Sequence, residues 1–171
     1  MKKIICFCLV IAIFLLNNRT AAVVIPDTAI RIRVIASSDS EEDQAIKQKV
    51  RELLEYKMYN LLKNIKGVDV ARKTIQDNLN DLNNEVDKLL KKEQYEEGFN
   101  MNYGMNYFPE KEYKGIKYEE GYYESLVVTL GEGKGENWWC VLFPPLCLIE
   151  AEESDEVEYK FFVKELIEKY F

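Results

Sequence analysis

The residues whose spacing invites chemistry lie between Gly131 and Cys147, in GEGKGENWWCVLFPPLC. Glycines at 131, 133 and 135 are spaced like a loop that cradles phosphate. Such a loop needs a helix N-terminus behind it to aim backbone N–H groups at the anion. A strand-like run follows instead, and Lys134 is followed by Gly135 and Glu136, so no Gly-Lys-Ser/Thr sequence occurs. The stretch is therefore predicted to be a flexible or bulged hairpin connection. Nucleophilic chemistry is equally constrained, because a chain without histidine cannot assemble a Ser-His or Cys-His pair. A Ser-Lys dyad or a carboxylate pair could still be drawn from 30 acidic side chains, yet nothing marks two of them out. Ser37, Ser38, Asp39 and Ser40 read as helix capping. The run Glu150, Glu152, Glu153, Asp155, Glu156 and Glu158 reads as a solvated turn and helix start. No catalytic residue, cofactor or metal site is predicted, the last because four soft ligands cannot be found.

The N-terminus sets the compartment. Met1-Lys2-Lys3 is a short positive start, and Ile4 to Leu16 is an uncharged run of 13 apolar residues. That is a signal-peptide pattern, too short for the ~20 apolar residues of a spanning helix. Small residues at Thr20, Ala21 and Ala22 suggest cleavage after Ala22, with an uncleaved anchor as the alternative. Residues 1–22 are thus expected to direct export, and 23–171 to form one domain. Without Lys2, Lys3 and Arg19 the exported part carries 20 basic and 30 acidic side chains, a net charge of −10. That field repels phosphate backbones and anionic head groups, so neither nucleic acid nor direct lipid binding is expected beyond a possible uncleaved anchor. Of the four cysteines only Cys140 and Cys147 remain, and outside the cytoplasm such a pair is expected to form a disulfide.

The elements that must position these residues follow from periodicity. Ala29 to Ala36 alternates Ile30, Ile32 and Val34 with Arg31 and Arg33, a strand with one wet or ion-paired face. Glu41, Glu42 and Asp43 behind Ser37–Ser40 predict a helix start near Glu41, with its end at Gly67. A second helix over about 69–95 repeats apolar residues at 75, 79, 82, 86 and 89, which predicts a helical hairpin. Strands are expected at 102–107, 122–130 and 138–143, and a C-terminal helix at 155–171. The fold class expected is α+β: a small, mostly antiparallel sheet packed with a long helical hairpin and the C-terminal helix. Adjacent strand residues point to opposite faces, so Trp138 and Trp139 cannot both enter one core. One of them should face outward or lie beneath a neighbouring element.

Two motifs carry a resemblance. IRIRVIASSDSEEDQAIKQKVR at 30–51, followed far downstream by GEGKGENWWCVLFPPLC, resembles the stage II sporulation protein R family over nearly the whole exported chain. The family's RVIA-x-SDS stretch corresponds to Arg33–Ser40, with serine at 37 in place of the expected asparagine and glutamate at 41 where proline is common. The resemblance implies an exported signal, made in the forespore and acting in the intermembrane space of the sporulation septum. Its implied partner is a membrane-embedded septal aspartic protease that processes the sigma-E precursor, activated without any chemistry by the signal itself. An exported cell-wall-acting hydrolase using carboxylates is the alternative. No contact residues carry over from the family. From the residues themselves, the tryptophan segment and the capped loop are expected to meet the partner through Arg33, Ser38, Asp39, Trp138 and Trp139.

Overall fold

The computed structural model describes residues 26–113, 116–146, 164–165 and 167–170. The signal sequence, Cys147, the acidic run and most of the expected C-terminal helix lie outside them, although residues 164–165 and 167–170 are helical. The fold is α+β. Strand β1 (Ile30–Ile35) leads into helices α1 (Glu41–Leu62) and α2 (Val68–Lys92). Then come β2 (Phe99–Phe108), the short pair β3 (Lys111–Tyr113) and β4 (Ile116–Tyr118), β5 (Gly121–Leu130) and β6 (Asn137–Phe143).

Local chemistry explains the helices. Ser40 caps α1, its side chain accepting from the Asp43 N–H at 3.1 Å, and three acidic residues fill the first turn. Val50, Leu54, Met58 and Leu62 bury one stripe of α1; Ala71, Ile75, Leu82, Val86 and Leu90 bury one of α2. Ion pairs Lys49–Glu93 and Lys57–Glu85 run in opposite chain directions, as an antiparallel hairpin requires. The first helix ends earlier than its apolar pattern suggests. Its C-cap is Lys63, and Gly67 does not close it: at φ −178° that glycine is extended and caps the start of α2, its carbonyl accepting from the Ala71 N–H.

The four-stranded sheet has the order β2-β5-β1-β6, with β1 parallel to β5 and the two outer pairings antiparallel. Both helices pack on one face. Ile30, Ile32 and Val34 of β1 meet Leu126, Val128 and Leu130 of β5 there, together with the helical stripes. Arg72 of α2 fastens this face from its rim, with its Nε 2.7 Å and 2.9 Å from the two Glu124 carboxylate oxygens, and the Tyr103 hydroxyl donates to the same carboxylate at 2.8 Å. Burial pushes the Glu124 pKa upward, but the Arg72 and Tyr103 hydrogen bonds outweigh it and hold the carboxyl below its ordinary range.

The sequence pattern misassigns one connection. Residues 131–136 do not close a β5–β6 hairpin, because β1 lies between these strands and pairs with both. The loop must therefore step across the end of β1, a span of about 10 Å or two strand spacings. It does so by gripping the chain that leaves β1. Lys134 N–H donates to the Ser37 carbonyl and Gly135 N–H to the Ala36 carbonyl, both at 3.0 Å. Glu132 N–H donates to Ser37 Oγ at 3.2 Å, and Glu136 N–H to Asp39 Oδ1 at 2.6 Å. Ser37, 6% exposed, donates its own hydroxyl to Glu97. Glycine is required by proximity as much as by turn geometry. A Cβ on Gly135 would stand 2.2 Å from the Ser38 carbonyl oxygen, and one on Gly131, at φ +48°, 2.4 Å from Ser37 Oγ. Gly135→Ala is accordingly expected to cost about 3 kcal/mol of stability in urea unfolding, the scale of substitutions that displace a constrained backbone. An unchanged unfolding midpoint would show that the crossing is loose.

Candidate interaction face

The sheet face away from the helices is built by the alternate residues. Register places Gly104, Ser125, Arg31 and Val141 in one row, then Asn102, Val127, Arg33 and Trp139, then Asn100, Thr129, Ile35 and Asn137. The first row is closed over. Arg31 is 3% exposed, with its guanidinium carbon 3.3 Å from the centroid of the Tyr123 ring and 5.5 Å from that of Phe108. The β3–β4 pair, which prolongs the β2–β5 hairpin, adds Tyr118 at 5.9 Å. Beyond this row the face opens. Arg33, Ile35, Val127, Thr129, Asn137 and Trp139 are half-buried, while Asn100 and Asn102 are exposed.

The tryptophans divide as the strand geometry requires. Trp138 packs against the helix-side core beneath Arg51, 5.1 Å from its ring centroid. Trp139 lies on the open face, edge-to-face with Phe108 at 5.3 Å, and receives two cations: Arg33 at 5.5 Å and Lys111 of β3 at 5.0 Å. Sequence reading expected the arginine side of β1 to be wet or ion-paired. Among the described residues neither Arg31 nor Arg33 has a carboxylate within salt-bridge distance. Aromatic rings are their nearest partners, with the Asp27 carboxylate acting on Arg31 from beyond ion-pair distance. Burial lowers the pKa of both arginines, and for Arg33 it is the only resolved influence.

Polar satisfaction on this face is incomplete. Arg31 Nε, Arg33 Nε, Trp139 Nε1 and Asn137 Oδ1 are buried without a hydrogen-bond partner. Interiors normally pair such atoms, so four on one face form an unusual cluster. Ser38 and Asp39, expected at the same surface, are engaged at the crossing: Ser38 Oγ donates to Asp43, and Asp39 accepts from the loop backbone. They position the end of β1, while Arg33 and Trp139 occupy the open face itself. Sequence reading missed Lys111 and Asn137. The alternation of β6 held a signal for Asn137, two residues before Trp139 and so on the same face. Cys140 is half-buried on β6, and Cys147 lies outside the described residues. No group of acidic and cysteine side chains among the described residues could hold a metal ion, and no helix among them is long and apolar enough to cross a membrane.

The family model for stage II sporulation protein R matches residues 26–153, from the turn before β1 through the whole sheet and into the acidic run. The chain belongs to the stage II sporulation protein R family. Stage II sporulation protein R of Bacillus subtilis (strain 168) is 35% identical over 142 residues, covering 83% of this chain and 63% of the relative, so the chain spans less than two thirds of that protein's length. No solved structure matches it. The two stretches that carried the family resemblance prove to be one structural unit, since the second grips the end of the first and pairs with its strand.

The two tryptophans should separate experimentally. Trp138→Ala removes a ring from the helix-side core and is expected to cost about 3 kcal/mol. Trp139→Ala loses mainly its contact with Phe108 and the two cations, about 1 kcal/mol, and should leave a cooperatively folding protein. Equal losses in urea unfolding would contradict this division of the faces.

Proposed function

We propose that this protein is an exported sporulation signal: made in the forespore, it acts in the septal intermembrane space and activates a membrane-embedded aspartic protease that processes the sigma-E precursor. Family membership supports the sporulation role. The observation that carries the mechanism is the open sheet face, where half-buried Arg33 and Trp139 with exposed Lys111 form a cationic and aromatic surface over buried, unpaired polar atoms. Such a surface suits a partner-binding hot spot, in which rigid aromatics and arginines supply most of the affinity. In this mechanism the protein performs no chemistry. It activates because it binds the active arrangement of the protease more tightly than the inactive one, the only way a ligand shifts an equilibrium. Export also bears on the cysteines: a Cys140–Cys147 bridge would close a short loop at the end of β6 and fix the chain beyond the interaction face.

Reconstitution in a vegetative Gram-positive host lacking the pathway tests this reading. The chain is co-produced with the matched protease and sigma-E precursor, with or without residues 1–22. Precursor cleavage should require both the protein and its N-terminal segment, and Trp139→Ala should reduce cleavage far more than it reduces the level of folded protein. The exported protein, recovered under non-reducing conditions, should weigh 2 Da less than its reduced form. Cleavage unaffected by Trp139→Ala would remove this face from the mechanism, and an unchanged mass on reduction would exclude the bridge.

A further inference from the structure

The open face offers two positive charges that have no ion-pair partner among the described residues, in a chain that is otherwise acid-rich. Arg33 and Lys111 approach the same indole, at 5.5 Å and 5.0 Å from its centroid, and no described carboxylate lies within salt-bridge distance of Arg33. In the neighbouring row Arg31 is 3% exposed, again with aromatic rings for company and its Nε unpaired. A buried or half-buried arginine without an anion is costly to maintain, and a bound carboxylate would offset that cost through charge-assisted hydrogen bonds.

The unpaired atoms also constrain the rest of the ligand. Arg33 Nε and Trp139 Nε1 are buried donors without acceptors and Asn137 Oδ1 a buried acceptor without a donor, so a ligand that pairs them must enter the face and displace what covers these atoms. A simple anion supplies only acceptors. A polypeptide supplies carboxylate and carbonyl acceptors together with backbone N–H donors. Nucleic acid is disfavoured by the net charge of −7 on the whole chain.

We propose that the Arg33–Trp139–Lys111 face of the sheet receives an extended acidic segment of a protein partner, with one Asp or Glu carboxylate held between the guanidinium and the ammonium over the indole. This deepens the functional reading above by naming the chemistry of the partner's contact, and it rests on that reading only for the partner's identity. The carboxylate supplies the counterion that no described residue provides, and as the segment enters the face its backbone N–H reaches the buried Asn137 amide oxygen.

The test uses the full-length chain labelled with 15N and a blocked peptide, acetyl-Thr-Glu-Val-Glu-Thr-amide, with its Gln-for-Glu analogue. The Glu peptide should shift the Arg33 Nε–H and Trp139 Nε1–H resonances, and the Gln peptide should not. Arg33→Gln should weaken Glu-peptide binding about ten-fold or more, as expected for loss of a charge-assisted pair. Arg51→Gln, which alters the cation over Trp138 on the other face, should leave binding unchanged. Equal shifts with both peptides, no shifts with either, or equal sensitivity to Arg33→Gln and Arg51→Gln would overturn the proposal. Precursor cleavage by the same Arg33→Gln variant distinguishes the two readings. Lost peptide binding with retained cleavage supports the carboxylate face but rejects its use in activation. Loss of both, in a variant with wild-type unfolding behaviour, supports the two together.

Discussion

Everything distinctive in this fold depends on a six-residue loop stepping across the end of β1. Because β1 is parallel to β5 and antiparallel to β6, the chain leaving β5 can reach β6 only by passing over the residues that continue from β1. Backbone hydrogen bonds to Ala36 and Ser37, and the Asp39 carboxylate on Glu136 N–H, turn that passage into a grip. Small residues are imposed at the contact, since a Cβ on Gly135 would overlap the Ser38 carbonyl. The same grip fixes where α1 begins, for Ser38 and Ser40 bond to Asp43 in its first turn. A phosphate-like glycine pattern is thus explained by one chain crossing another.

The crossing also fixes the register of β6 against β1 and so decides which tryptophan goes where. Val34 lies opposite Trp138 on the helix side, and Arg33 opposite Trp139 on the open side. A one-residue slip would exchange the two rings. Hydrophobic burial under the helical hairpin stabilises the first face. The second is held by cation–aromatic contacts, which tolerate half-exposure. One strand therefore lines both the helix-side core and the open face, divided by the period of two.

Much of this was legible in the sequence, and the exceptions have physical reasons. The alternation in AIRIRVIA and the acidic first turn after Ser40 located β1 and α1 closely, because both signals are local. Strand order was not legible. A glycine-rich loop between two apolar runs looks alike whether it closes a hairpin or steps over an intervening strand, and only pairing partners nearly 100 residues away distinguish these, as in Glu136 to Asp39. Gly67 misled for a related reason: glycine serves at either end of a helix, and here extended backbone put it at the start of α2. Arg31 and Arg33 were recognised as one face of a strand. That Tyr123, Phe108 and Trp139 would replace carboxylates there depended on the β2–β5 hairpin folding its far end toward β1, which no local pattern encodes.

Photo-crosslinking tests most directly whether the open face meets the partner. A photoreactive amino acid is placed in sporulating cells at Asn102, exposed on the open face two strands from Arg33, or at Lys73, exposed on α2. The proposed partner, the septal protease, should be captured from position 102 and not from position 73. Capture from position 73 alone would contradict the assignment, making the helical hairpin the working surface and leaving the Arg33–Trp139 cluster a feature of stability.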